Sequence, residues 1–300
     1  IDTPTFPYKT GPMGAGSVAF QPRLEDTFGW LLYGLTGSVS SAISTVDNYD
    51  HVFEVAAADS PVPFMGFRKH IPRVNAGPAT DLGEVYTDAK ILSGGFNFPN
   101  MQPVTAEMGI ASIHAQMDHA PDAWTYENTF EDWQSIPLPC TVGGSLTVDG
   151  NAMSVVGASV QVANSPLPVQ QERIAFSPYM DDITIVQRSV SFDLMLKWNN
   201  PDLYAQLYSG TALGTGWTAT PFTAPLDLTV LSSTNMPSDT PEPYRLNINA
   251  PSVSFTQVGG IQLAGGQSIM IRLRGTALAN ASHYAKFTLR NMVSAYAWPV

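Results

Sequence analysis

The side chains with the clearest chemical potential are histidines and acids near the middle of the chain. His114, Asp118 and His119 form an H-x₃-D-H pattern at the end of a predicted strand, and imidazole and carboxylate groups are common zinc ligands. Successive side chains of a strand point to opposite faces, so His114 and His119 would diverge if the strand stays regular. We therefore interpret the segment as a polar strand face, and we expect no metal site and no cofactor.

Nucleophilic catalysis has little support in the sequence. The one cysteine, Cys140, lies in PLPCTVGG, which matches no nucleophile signature, and we interpret it as a buried structural thiol. No G-x-S-x-G elbow is present, and the pair Gly94-Gly95 lacks the following helix that phosphate binding requires. A β-sandwich hydrolase that uses His114, Asp118 or His119 stays as an alternative, but we expect no catalytic residues.

The segment 118–141 combines aromatic and acidic residues in a predicted loop, and we interpret it as an insertion. A platform of Trp124, Tyr126 and Trp133 could bind a carbohydrate. A contact between subunits is the favoured interpretation, because aromatic residues dominate the energetics of protein interfaces.

Residues 1–22 are predicted to form an extended N-terminal arm, followed by one domain over residues 23–300. Proline and glycine at the density found here disfavour regular helix or sheet. A frayed terminus is one interpretation. The other is an arm that docks on a neighbouring copy, because it still carries the apolar residues Phe6, Tyr8 and Phe20.

Charge is sparse and unbalanced along the chain. Charged residues make up 13% of 300 residues, about half of the ~25% usual in soluble proteins, and 25 acids against 14 bases give a net charge of −11.

A basic nucleic-acid binder is excluded, because neutralising phosphates needs clustered Lys and Arg. The single cysteine excludes a disulfide scaffold. Without a run of about 18 apolar residues, we expect no helical membrane protein and no membrane partner.

The acidic excess is concentrated in one part of the sequence. Ten acids and one base, Arg173, occur from Glu107 to Asp182. Such a run is typical of a solvated acidic surface, which is the favoured interpretation. The alternative is a surface that keeps a polyanion from adhering.

Period-two alternation dominates the chain and predicts a mainly-β fold, a sandwich or partial barrel. Residues 84–98 and 104–117 predict a long hairpin with a bulge at Gly94-Gly95, and a second pairing flanks the turn Asp149-Gly150-Asn151. The similarity between these units indicates a possible duplication near residue 140. Two short helices are predicted, over residues 24–37 and after Pro201.

The order of these elements resembles the tail tube (major tail) proteins of long-tailed bacteriophages. The resemblance extends over roughly residues 24–295 and rests on order and spacing rather than on one diagnostic motif. It is carried by EDTFGWLLYGLTGSVSS followed by YDHVFEVA, by DAKILSGGFNF with VTAEMGIASI, by GSLTVDGNAMSVVGASVQVANS with IVQRSVSFDLML and PDLYAQLYSG, and by YRLNINAPSVSFTQVGG.

This resemblance implies a structural virion protein without catalytic residues. Subunits of that family form rings, usually hexameric, in which long hairpins join into one β-barrel around a lumen. The rings stack into a tube in the virion tail, and the resemblance implies a negatively charged lumen through which DNA passes without specific binding. Assembly in the host cytoplasm and partners such as the tape measure, tail terminator and tail-tip proteins are implied. A chain of two fused units would instead form a trimeric ring.

Strand alternation then predicts which residues face the lumen. A strand with one apolar and one polar face suits a wall between core and water. The polar candidates on the two long hairpins are Thr105, Glu107, Ser189, Ser191 and Asp193. The alternative is that these polar faces lie on the outer surface of the protein. The alternative function is a virion decoration protein or a receptor- or glycan-binding module.

Overall fold

The chain folds into one large antiparallel sheet with two short helices, in a computed structural model. The structure describes residues 14–56, 61–71, 81–118, 138–169, 171–173, 180–197, 201–211, 216–219, 221–237, 241–257, 269–279 and 283–296. In chain order the elements are β1 (Gly14–Phe20), α1 (Asp26–Thr36), β2 (Ser40–Thr45), β3 (Asn48–Ala56), β4 (Met65–Ile71), β5 (Leu82–Pro99), β6 (Thr105–Asp118), β7 (Cys140–Val148), β8 (Asn151–Ala152), β9 (Val155–Pro166), β10 (Ile185–Lys197), α2 (Pro201–Ser209), β11 (Phe222–Asn235), β12 (Pro243–Gln257), β13 (Met270–Ala277) and β14 (His283–Asn291).

The sheet follows the order β1-β6-β5-β9-β10-β13-β12-β11-β7-β8. The two long hairpins, β5-β6 and β9-β10, lie side by side because β5 also pairs with β9 over Ser93–Pro99. The four strands β6-β5-β9-β10 therefore form one continuous antiparallel set, which we call the hairpin set. The mainly-β prediction is confirmed, and the sheet of the single chain does not close into a barrel.

A second layer covers the apolar side of the hairpin set. The second half of β12 pairs with β13, whereas its first half pairs with β14, and β14 in turn pairs with β3. This arrangement folds the sheet back on itself around one continuous buried core. The core contains side chains of both layers, among them Phe96, Val160, Phe192, Ile248 and Phe287.

Helix α1 lies against the core through Phe28, Leu32 and Leu35, which recur at three- and four-residue spacing. The helix stops at Gly37, as predicted: its φ of 83° is in the left-handed region, and its N–H donates to the carbonyl of Tyr33. Buried side chains from the hairpin set satisfy two further carbonyls of the helix end, since Asn164 donates to Leu35 and Arg188 to Thr36. Neither helix in the described residues is long and apolar enough to cross a membrane.

Several predicted details differ from the structure. Residues 14–20 form strand β1 on the edge of β6 rather than part of an irregular arm, because backbone pairing makes few demands on side chains. The bulge in β5 lies between Ile91 and Ser93 instead of at Gly94-Gly95. Gly94 keeps regular pairing, and a Cβ there would lie 2.4 Å from a methyl carbon of Leu35.

The turn at Asp149-Gly150 was identified correctly, but its strands pair differently. Both residues have positive φ, 53° and 73°, as a two-residue hairpin loop requires. The turn joins β7 to the two-residue β8, whereas β9 leaves to pair with β5 and β10. Strand β2 was missed by the sequence analysis, because SSAIST carries no apolar alternation.

Candidate functional site

The outer face of the hairpin set is polar from one strand to the next. Because each strand pairs in register with its neighbour, outward side chains fall into rows that cross all four strands. The three central rows are Thr105, Asn97, Ser159 and Asp193; Glu107, Gly95, Gln161 and Ser191; and Gly109, Ser93, Ala163 and Ser189.

All five residues predicted to face a lumen lie in these rows. Thr105, Glu107 and Ser189 are exposed, whereas Ser191 and Asp193 are half-buried. The residues that alternate with them along the same strands, such as Met108 and Phe192, are buried in the core. The structure therefore brings the predicted residues of two separate hairpins onto one surface.

The charge of Asp193 is balanced by a neighbouring strand. Arg272 of β13 donates to both carboxylate oxygens of Asp193, at 2.6 to 3.1 Å. These hydrogen bonds hold the pKa of the Asp193 carboxyl below its ordinary value, against a smaller opposing effect of burial, and the charges of Arg272 and Arg274 lower it further. The carboxylate is thus ionised but paired.

Glu107 lies at the other side of the hairpin set, on β6. Its cross-strand partners are the small residues Gly95 and Ala19. A shallow depression runs across this part of the face, and its lining includes Glu107, Asn97 and Gln161. The polar face therefore offers hydroxyl and amide groups around an exposed carboxylate.

The acids from Glu107 to Asp182 do not all lie on this face. Asp149 occupies the β7-β8 turn. Asp182 accepts a hydrogen bond of 2.8 Å from the buried ammonium group of Lys90. Burial raises the pKa of Asp182, but the hydrogen bonds from Lys90 and the Ile183 amide outweigh burial, so the net shift is downward.

The residues considered for metal binding or catalysis are placed differently. His114 pairs with Asp88 across β5 and β6, at 3.0 Å, and His119 lies outside the described residues. Among the described residues, no group of three or more His, Cys, Asp or Glu side chains could hold a metal. Cys140 was expected to be buried, but it is only half-buried, because it begins β7 at the rim of the sheet.

Of the aromatic residues predicted to contact other subunits, Phe20 is the one in the described part of the chain. It ends β1 and packs on Phe28 of its own helix α1, with ring centroids 6.4 Å apart in an edge-to-face arrangement. Its half-buried ring is therefore partly used within the chain. The other candidates, and most of the loop 118–141, lie outside the described residues: Phe6, Tyr8, Trp124, Tyr126 and Trp133.

Sequence reasoning missed the contribution of β13 to this surface. Arg272, Arg274 and Thr276 project on the same side as Asp193 and Ser191, which they oppose or adjoin across the strand pair. The alternation of MIRLRGTA, with every second residue buried, was the signal that could have identified them.

Comparison with known proteins agrees with this architecture. A search of curated proteins returns no match. A family model described as phage tail tube protein matches residues 2–277, nearly the whole chain. A match of this extent, on a mainly-β chain with two long adjacent hairpins, shows that the chain belongs to the phage tail tube protein family.

Proposed function

We propose that copies of this chain form rings that stack into the tail tube, with the polar face of the hairpin set lining the channel for the genome. The observation that carries the proposal is the continuous two-sided character of the hairpin set. One side is the protein core, and the other is a surface of hydroxyl, amide and few charged groups. A wall between a protein layer and a water-filled channel needs this division.

The chemistry of this face suits the passage of a polyanion. Clustered Lys and Arg would bind phosphates and trap DNA. The described face carries only three cations, Lys197, Arg272 and Arg274, of which Arg272 is engaged by Asp193, and Glu107 repels phosphate groups. Hydroxyl and amide groups form weak, exchangeable hydrogen bonds with water and with DNA. The genome would therefore slide past the lining without specific binding.

A hexameric ring fits the width of the hairpin set better than a trimeric one. Neighbouring strands lie about 4.8 Å apart, and a barrel of strands tilted by about 40° is correspondingly wider. Six copies of four strands then enclose a backbone cylinder about 48 Å across, and three copies one of about 24 Å. After about 10 Å is subtracted for side chains, the larger ring alone admits a duplex about 20 Å wide.

The tube would act within the virion tail, after assembly in the host cytoplasm. Its partners would be further copies of the chain and the tape measure, tail terminator and tail-tip proteins. The loops and the N-terminal residues would contact the next ring. The polar face would meet DNA only transiently.

Electron microscopy of the purified protein tests the proposal. We expect hollow tubes of stacked hexameric rings, and a cryo-electron map in which Thr105, Glu107 and Ser191 point into the channel. Particles that stay monomeric at high concentration and at every ionic strength would contradict tube formation. Tubes whose channel is lined by another surface would contradict the assignment of the polar face alone.

A further inference from the structure

Strand β1 occupies the edge that a neighbouring copy would need. The hairpin set has β6 at one end and β10 at the other, and these two strands run in opposite directions because three antiparallel pairings separate them. The β10 edge of one copy can therefore pair antiparallel with the β6 edge of the next. In the single chain, however, β1 pairs with β6 from Ala106 to Ser112.

Keeping β1 in place would give each copy five strands instead of four and would change the direction of strand pairing at the junction between copies. Strand β1 runs in the same direction as β10, so a junction between them would be parallel, which is the slightly weaker pairing. Strand β13 offers no substitute edge, because its residues Leu273–Ala277 already pair with β12. An even set of four strands closes with antiparallel pairs throughout, whereas a five-strand set does not.

The free edge of β10 lies level with β1. Beyond Ser191, where its pairing with β13 ends, β10 has no strand on that side over 185–190 within the described residues. Ser189 and Ser17 belong to the same cross-strand row, at its two ends. The β6 edge that β1 covers and the open β10 edge at 185–190 thus lie at opposite ends of the same cross-strand rows.

Few side chains hold β1 in place. Residues 15–19 are all exposed, and the contact with Phe28 comes from Phe20 at the end of the strand. The remaining attachment is backbone pairing, and the entropy lost on ordering a residue is comparable to the net gain from one such hydrogen bond. Gly14 and Gly16 add further entropy to the released state. Because β1 precedes every other described element, it can leave without moving the core.

We propose that β1 is an exchangeable cover of the β6 edge, displaced by the β10 edge of a second copy when the ring forms. This inference rests on the proposed ring-forming function. An exposed strand edge promotes indiscriminate pairing. With β1 in place the outermost strand is a seven-residue segment whose junction with β10 would be parallel, so the cover disfavours premature pairing of copies. The same contact delays assembly until copies meet in the correct orientation.

A reversible cross-link tests the cover directly. Ala19 and Glu107 are opposite each other and exposed, and such pairs have Cα atoms about 4.5–5.5 Å apart, within the reach of a disulfide. In a Cys140→Ser background, we expect the oxidised Ala19→Cys/Glu107→Cys protein to form tubes at least tenfold more slowly than the same protein after reduction. Light scattering and negative-stain images give both rates.

A matched cross-link controls for general stiffening. Lys69 and Glu84 are opposite residues of β4 and β5, so Lys69→Cys/Glu84→Cys locks an edge strand that the ring does not displace. Its oxidised and reduced forms should assemble at equal rates. If the oxidised Ala19→Cys/Glu107→Cys protein assembles as fast as the same protein after chemical reduction, the cover is overturned while ring formation stands. If neither wild-type nor reduced protein forms tubes, the proposed function fails and the inference fails with it.

A second variant needs no cross-link. A Cβ at Gly16 or at Gly66 would meet no atom within 4 Å, and valine favours extended strands over glycine. Gly16→Val should strengthen the cover and slow assembly several-fold, whereas Gly66→Val in β4 should leave the rate unchanged. Equal rates for Gly16→Val and wild type would contradict the cover.

Discussion

His51 illustrates how single polar residues are accommodated in the core. It is fully buried, and both ring nitrogens are used: Nδ1 lies 2.8 Å from the Ser41 hydroxyl and Nε2 3.0 Å from Asn291 Oδ1. Asn291 Oδ1 also accepts from the Val293 amide, so Nε2 donates to this oxygen, and in the neutral imidazole Nδ1 accepts from the Ser41 hydroxyl. Asn291 in turn donates to Tyr296. A neutral imidazole with its proton on Nε2 satisfies every group in this chain of hydrogen bonds.

The protein should therefore lose stability in mild acid. Burial lowers the pKa of His51 below its ordinary value, against smaller raising effects of Asn291, the Val293 backbone and Asp50. The unfolded state then takes up the proton first, so the contribution of His51 is complete above pH ~6.5 and declines as the pH falls below it. Urea unfolding at pH 7.5 and 5.5 should show this decline.

A substitution isolates the contribution of His51 from that of other groups. His51→Gln should lower the free energy of unfolding at pH 7.5 by about 1–3 kcal/mol, because buried partners lose hydrogen bonds. In this variant the free energy of unfolding should also fall less between pH 7.5 and pH 5.5 than it does in wild type. The same decline in His51→Gln as in wild type would show that another group causes it.

Residue-level predictions from sequence succeeded where the information was local. The polar side of β6 and β10 follows from alternation along each strand, which places Thr105 and Ser191 on the sheet face opposite the core. The partner of Asp193 could not be read in this way, because Arg272 is 79 residues away and only the sheet register brings them together.

At the level of elements, the packing of α1 depends on a glycine that helix propensity disfavours. A Cβ at Gly29 would lie 2.1 Å from the ring of Tyr296, so the missing side chain lets the tyrosine pack against the helix. The sequence predicted the helix despite this residue, because Phe28, Leu32 and Leu35 keep the apolar spacing. It could not predict the close approach, which comes from the other end of the chain.

Gly29→Ala should therefore destabilise the protein although it favours the helix. The gain in helix propensity is about 1 kcal/mol, whereas overpacking of a core costs typically 1–3 kcal/mol and would also displace the hydroxyl that pairs with Asn291. We expect a net loss of about 1 kcal/mol or more, measured by urea unfolding. Thr27→Ala, at an exposed position of the same helix, should change stability by less than about 0.5 kcal/mol. A more stable Gly29→Ala protein would show that Tyr296 repacks freely.

At the level of the whole molecule, the acidic excess behind the net charge of −11 is not concentrated on the proposed channel wall. The polar face of the hairpin set and β13 carries two carboxylates, Glu107 and Asp193, and three cations, Lys197, Arg272 and Arg274. The described part of the proposed channel wall is therefore nearly balanced, and most of the acidic excess lies elsewhere. Sequence counts alone could not separate these surfaces.

This distribution makes Glu107 the informative position for charge reversal. Asp193→Lys would leave Arg272 and Arg274 beside a third cation and would disturb the β10-β13 pairing, so its effects would be structural. Glu107 is exposed and faces Gly95 across its pair with β5, which leaves room for a lysine whether or not β1 stays beside β6. Asp149, exposed in the β7-β8 turn, provides a control with the same change in net charge.

Tubes of the Glu107→Lys protein should retain DNA that wild-type tubes release. Each ring would gain a circle of lysines around the channel, and phosphate neutralisation strengthens binding steeply at low salt. Co-sedimentation of tubes with a short duplex at about 50 mM salt should detect retention, which should fall sharply by about 200 mM. Asp149→Lys tubes should release the duplex as wild-type tubes do. Equal retention by both variants would mean that Glu107 is no nearer to the path of DNA than an outer turn, and would reject the polar face as the channel lining.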